Sequence, residues 1–224
     1  MSKMTGFRAF LTVIMMQEYP QFSEPTAPSH YGKHLVFFPS RKNKCQIACN
    51  SVLESDYCIS LESNPLVTRY ATGLTPINLA DEGLNGNYIP DFLVETLDEM
   101  YYTEVKLNFD TISARIKKKL YVAQKKLERI GIALRFADES SIRHGYSFQN
   151  CKFLYMNSFN VSADEFGLLL REIAYLRFPI PLGELLKATT VSSRAYYKSM
   201  FEGILTFDRD VKLELTTPVQ KPQV

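Results

Sequence analysis

Residues 88–106 read Tyr-Ile-Pro-Asp-Phe-Leu-Val-Glu-Thr-Leu-Asp-Glu-Met-Tyr-Tyr-Thr-Glu-Val-Lys, two short apolar runs joined by a polar turn. An aspartate opens the first run and Glu-x-Lys closes the second, and the pattern predicts an antiparallel hairpin. Alternate strand residues share a face, so Glu104 and Lys106 point one way while Val105 points into the core. With Leu97 and Asp98 at the tip, Asp91 falls opposite Glu104, near enough for both carboxylates to hold one divalent cation.

Downstream of the hairpin, Asn108 and Asp110 offer turn and cap chemistry before a helix predicted over 112–130. Its inner stripe is Ile116, Leu120, Ala123, Leu127 and Ile130, Gly131 stops it, and Ile132–Phe136 follows as a strand. Hairpin, helix and strand in one sheet make a small α/β nuclease core. Upstream, the strand before the hairpin turn is predicted to start at Asn87, after a turn over 81–86. Leu66–Ala71 reads as another strand, with Ile77–Leu79 pairing beside it. A helix is predicted over 46–60, ended by Asn64-Pro65, and 17–44, with four prolines, reads as an irregular arm leaving through the basic Arg41, Lys42 and Lys44.

Beyond a polar stretch over 140–145, helices are predicted over 163–176, 182–187 and 192–201, and the alternating residues 204–215 read as a hairpin. Three helices and a hairpin suggest a winged-helix-like module. The expected organisation is an arm over 1–44, a restriction-endonuclease-like domain over 45–145 and the winged-helix-like domain over 146–224.

Bulk properties narrow the class but not the function. A chain of 224 residues that is 46% hydrophobic can bury one sizeable core or two modest ones. A formal charge of +2 means that contact with a polyanion needs a local concentration of Lys and Arg. The apolar run over 9–16 is too short to span a bilayer and lacks a cleavage signal, so no membrane association and a cytoplasmic location are expected; a start at Met15 or Met16 explains it equally well. Cys45, Cys49, Cys58 and Cys151 have no zinc-ribbon spacing and read as buried packing residues in a reducing compartment; Cys45 and Cys49, four apart, could share a helix face, but no histidine lies nearby in sequence to complete a four-ligand site. His30, His34 and His144 are scattered and read as surface or structural.

Phosphodiester cleavage needs a metal that acidifies the attacking water, and hard carboxylate oxygens suit Mg2+, with Mn2+ as a substitute. Asp91 and Glu104 are the expected direct ligands, the Val105 carbonyl completes the shell, and Lys106 orients the nucleophile or stabilises the charged transition state. Glu54, on the preceding helix, is a further ligand candidate that spacing alone does not place. The competing reading has Asp91 ending a bend after Pro90, with Glu104 and Lys106 on the wet face of a hairpin. Against it, both carboxylates are embedded in apolar or aromatic strands, where idle charges are costly.

Residues 111–135 also carry Arg115, Lys117, Lys118, Lys119, Lys125, Lys126, Arg129 and Arg135 against the lone acid Glu128, a footprint suited to the backbone of double-stranded DNA. A solvent-facing helix is the alternative. In the last domain Ser192, Ser193, Arg194, Tyr196, Tyr197, Lys198 and Arg209 suit nucleic-acid contact, whereas its many acids suit protein docking equally well.

Three stretches carry a family resemblance: Ser51-Val52-Leu53-Glu54-Ser55-Asp56-Tyr57, Tyr88-Ile89-Pro90-Asp91-Phe92-Leu93-Val94 and Tyr102-Thr103-Glu104-Val105-Lys106. With the helix over 112–130 and Gly131, the chain resembles TnsA, the endonuclease subunit of heteromeric cut-and-paste transposases. The family's helix glutamate maps to Glu54, its core aspartate to Asp91, its Gln-or-Glu position to Glu104 and its lysine to Lys106. The resemblance implies a restriction-endonuclease-like domain followed by a winged-helix-like one. It implies Mg2+-dependent cutting of the non-transferred strand at the 5′ ends of the element, beside a DDE-type transposase that cuts and joins the 3′ ends. It also implies an AAA+ ATPase regulator contacting the C-terminal part. The chain is compact for the family, which fits the smaller subunits of RNA-guided systems. A stand-alone restriction or repair nuclease and a non-catalytic DNA-binding scaffold are the alternatives.

Overall fold

The computed structural model describes residues 35–84, 86–188 and 190–222. The described residues fall into two compact units, one holding those up to Ser55 together with those over Leu66–Ala137, the other holding Asp56–Pro65 and those from Asp138 onward. The first unit is α/β, with a mixed four-stranded sheet and flanking helix.

The described end of the expected arm is regular. Val36–Ser40 (β1) pairs antiparallel with Cys45–Cys49 (β2), joined by the turn that holds Arg41, Lys42 and Lys44. Cys45 and Cys49 therefore lie on a strand, not on the helix expected from residue 46. Helix α1 spans Val52–Ser63, because its start is fixed by local hydrogen bonding rather than by apolar spacing. The Glu54 N–H donates to Ser51 Oγ at 3.1 Å, while the Glu54 carboxylate accepts from the Asn50 N–H at 2.7 Å and the Ser51 hydroxyl at 3.1 Å. This Ser-x-x-Glu arrangement satisfies amides that an uncapped helix leaves orphaned. The first turn of α1 counts with the first unit and the rest with the second.

Val67–Ala71 (β3) pairs with Phe92–Thr96 (β6), not with Ile77–Asn78 (β4), which pairs with Asn87–Tyr88 (β5). The strand expected from Asn87 is thus broken over Ile89–Asp91, where Pro90 has no N–H for a ladder. Met100–Lys106 (β7) returns alongside β6 with Phe92 opposite Thr103 and Val94 opposite Tyr101, and Thr96 N–H donates to Glu99 O at 2.9 Å across the tip. Helix α2, Ala114–Arg129, starts at the Ser113 cap rather than at Ile112. Ala133–Asp138 (β8) then joins the sheet beside β7, giving the order β3-β6-β7-β8.

Leu120, Ala123 and Leu127 of α2 pack with Leu79, Tyr88, Ile132 and Leu134, while Ile116 and Ile130 at the ends of the expected stripe are exposed. Gly131, at φ 78°, makes the left-handed turn that ends α2. Cys49, Cys58 and Cys151 are buried, as packing residues, whereas Cys45, expected to be buried with them, is half-buried at the start of β2.

In the second unit, short helix α3 (Glu139–Ile142) precedes α4 (Gly145–Met156), in a stretch where the sequence pattern predicts no helix. The remaining helices are α5 (Ala163–Ala174), α6 (Leu182–Leu185) and α7 (Ser193–Phe201). The hairpin expected over 204–215 does not form. Asn150 of α4 takes that segment's backbone instead: its amide donates to Arg209 O and Val211 O at 2.9 and 2.7 Å and accepts from the Leu213 N–H at 3.0 Å. The strand pairing lies elsewhere, between Ile180–Pro181 (β9) and Pro218–Val219 (β10). Gly183 permits this approach, since a Cβ there would meet the Leu215 carbonyl at 3.2 Å. No helix among the described residues is long and apolar enough to cross a membrane.

Candidate metal centre

The β6–β7 register, extended by one residue, puts Asp91 opposite Glu104, as the two-residue tip predicts. The contacts close the arrangement. Asp91 Oδ2 accepts from the Val105 N–H at 2.7 Å, and Lys106 Nζ lies 2.6 Å from Glu104 Oε1, 2.9 Å from the Val105 carbonyl oxygen and 3.4 Å from Asp91 Oδ2. Each of the three oxygens expected as ligands therefore faces one ammonium, a cation that stands where a metal ion was expected.

Glu104 is 5% exposed, which removes the wet-face reading of the hairpin. Its second oxygen accepts from the Tyr88 hydroxyl at 2.7 Å. Burial first, and Asp91 second, push the Glu104 carboxyl above its usual value, opposed by Lys106 and Tyr88. Glu54 is also raised, by burial and then by Asp91, so the α1 glutamate shares the electrostatic field of the Asp91 carboxylate. Burial pulls the Lys106 ammonium down, yet Asp91 and Glu104 more than offset this and hold it above its ordinary value. The Tyr88 phenol is pushed far above its usual range by burial and then by Glu104, so it remains a donor.

Three carboxylates thus share one ammonium, and the excess negative charge is what a divalent cation would neutralise. Among the described residues no group of three or more His, Cys, Asp or Glu side chains stands together as a ready metal cage. The centre instead has the Asp91 carboxylate from the bend before β6, the Glu104 carboxylate from β7 and a carbonyl, a hard oxygen set that suits Mg2+, which keeps several waters and binds through one or two carboxylates plus substrate phosphates. The donors fit such an ion.

The basic residues divide into two classes. Lys126 is paired with Asp81 at 2.7 Å, Arg129 with Glu82 at 2.5 Å, Lys125 with Glu128 at 2.8 Å and Arg135 with Glu99 at 2.5 Å. Arg115, Lys117, Lys118 and Lys119, in the first two turns of α2, have no carboxylate partner among the described residues; Lys117 donates to the Asp110 carbonyl, and Lys119 lies 6.0 Å over the Tyr88 ring. The first turn of α2 contains no acid, although a helix N-terminus disfavours cations by about 0.3–1 kcal/mol each. This local conflict suits an external anion. Of the β1–β2 turn residues, Lys42 is committed to the Val67 carbonyl at 2.6 Å and Lys44 is exposed.

Tyr88, three residues before Asp91, carries no role in the sequence pattern; its only signal there is an aromatic donor beside the Pro-Asp bend. Ser51, which orients Glu54, is legible as the first residue of a Ser-x-x-Glu capping pattern, whereas Asn50 contributes only its backbone N–H. His144 caps α4 with its backbone, and His30 and His34 lie outside the described residues. No family model matches the chain, and no curated protein matches it either.

Proposed function

We propose that the chain is a metal-dependent DNA endonuclease. The observation that carries this reading is the single ammonium of Lys106 within 3.4 Å of Asp91 Oδ2, Glu104 Oε1 and the Val105 carbonyl, in the shared field of the buried Glu54 carboxylate. Asp91, Glu104 and the Val105 carbonyl hold Mg2+, or Mn2+ in its place, with Glu54 supporting them from α1. The bound ion supplies an acidified water and offsets charge on the phosphoryl oxygens. Lys106 adds positive charge where the transition state becomes more anionic. The unpaired cations at the start of α2 hold the duplex backbone, with Lys125 and Lys126 contributing less because Glu128 and Asp81 already neutralise them.

The finer reading is a restriction-endonuclease-like first unit and a winged-helix-like second unit, supported by the order hairpin, α2, β8 and by the succession α5, α6, α7. The resemblance to TnsA supports a more specific role: cutting the non-transferred strand at transposon 5′ ends, with a DDE-type transposase and an AAA+ ATPase regulator as partners.

The test is cleavage of an end-labelled transposon-end duplex by the purified chain and Mg2+, with and without a candidate transposase. A 5′-strand nick that needs metal and is lost in Asp91→Ala is expected. Cutting that persists at the wild-type rate in Asp91→Ala sinks the assignment, and cutting without any transposase favours a stand-alone nuclease. One observation favours a scaffold instead: both oxygens of Glu54 and both of Glu104 already have protein partners. A scaffold shows no Asp91-dependent metal binding.

A further inference from the structure

We propose that Tyr88 is a positioning residue of this centre, fixing Glu104 so that one carboxylate oxygen is committed to the protein and the other is presented to the cation. The inference rests on the reading of Asp91 and Glu104 as metal ligands. Tyr88 ends β5, two residues before Pro90, and its ring belongs to the buried cluster of Leu79, Leu120, Ala123 and Leu127, with Ile77 opposite it across the β4–β5 pair. The ring is 2% exposed and its hydroxyl lies 2.7 Å from Glu104 Oε2. The other oxygen, Oε1, faces Lys106 Nζ at 2.6 Å.

A glutamate carboxylate rotates broadly about its last torsion, which an unaided ligand must surrender on binding metal. A donor anchored in the core removes that freedom beforehand. The same Tyr88 ring lies under Lys119 of α2, so one side chain connects the basic helix to the carboxylate that faces the cation. A merely structural tyrosine would need its ring in the core but no bond to a ligand of the centre. Tyr102 of β7 is that case: its ring packs on the same cluster, and its hydroxyl meets none of the site's carboxylates.

The experiment titrates Mn2+ calorimetrically into four full-length proteins without DNA: wild type, Tyr88→Phe, Tyr102→Phe and Asp91→Ala. Wild type binds, Asp91→Ala does not, Tyr102→Phe matches wild type, and Tyr88→Phe binds about 10-fold more weakly, the scale on which partners of metal ligands act. Cleavage by Tyr88→Phe then needs a correspondingly higher Mn2+ concentration but approaches the wild-type maximal rate at saturation. Wild-type affinity in Tyr88→Phe, or equal weakening in Tyr102→Phe, overturns the positioning role while leaving the metal centre intact. Absence of Asp91-dependent binding in the wild type overturns the centre and the inference together.

Discussion

Each unit buries an acidic side chain among cations, and the balance of charge differs between them. In the first, Glu54, Asp91 and Glu104 share Lys106. In the second, Asp56, at 2% exposure, is held by two cations, Arg143 at 2.7 Å and Lys152 at 2.6 Å, and Arg143 also reaches Glu139. The Asp56 cluster is electrostatically complete and acts as a strut between α1, α3 and α4 within its unit. The Asp91 cluster is short of positive charge. Burying a carboxylate costs several kcal/mol unless it is compensated, so an acid-rich cluster is maintained against stability and a balanced one for it.

Substitutions should therefore act in opposite ways in the two clusters. The largest expected effect is on catalysis: Asp91→Ala or Lys106→Ala lowers metal-dependent strand cutting by about 100-fold or more, measured on labelled duplex, while Asp91→Ala leaves the thermal midpoint equal or raised because a repulsive partner of Glu54 and Glu104 is gone. A large drop in that midpoint would mean that Asp91 is a strut after all. Next comes Asp56→Ala, which lowers unfolding free energy in urea by about 1–3 kcal/mol, since Arg143 and Lys152 lose their partner but keep access to water. Mn2+ binding to that variant is unchanged.

The two halves of α2 offer a finer contrast. Arg115→Ala with Lys118→Ala should weaken duplex binding by about 10-fold at low salt and reduce the slope of log affinity against log salt by about 2, whereas Lys125→Ala, already paired with Glu128, changes both less. Fluorescence anisotropy across a salt series reads both quantities. Equal effects from the two halves would show that intramolecular pairing does not set which cations meet DNA.

The smallest effect is a pH slope. Glu54 and Glu104 have raised folded-state pKa values, so each binds its proton more firmly folded than unfolded. Their contribution to stability is present below the ordinary glutamate value of about 4.3 and is lost as pH rises through the raised value. Metal-free wild type should lose stability toward neutral pH more steeply than Glu104→Gln does, by denaturant titration. Parallel curves would show that the cluster carries no excess charge.

What could be read in advance follows from which interactions are local. The 97–98 tip with period-2 alternation made the Asp91–Glu104 pairing legible, and helical spacing made the centre of α2 legible. Helix α4 escaped because its buried face includes the polar Asn150, and the false hairpin over 204–215 arose because alternation does not reveal whether a strand partner is present. The cap that starts α1 was written in Ser51 and Glu54 but was outweighed by apolar spacing that also fits a longer helix.

By itself the sequence determined the carboxylates, their register and the basic helix, since strand period, turn length and helix period act over a few residues. Tertiary structure alone decided which cations stayed unpaired, because Asp81, Glu82 and Glu99 reach α2 and β8 from distant stretches of chain. It also decided that Tyr88 reaches Glu104, since a hydroxyl meets a carboxylate sixteen residues away only after β5, β7 and α2 have packed.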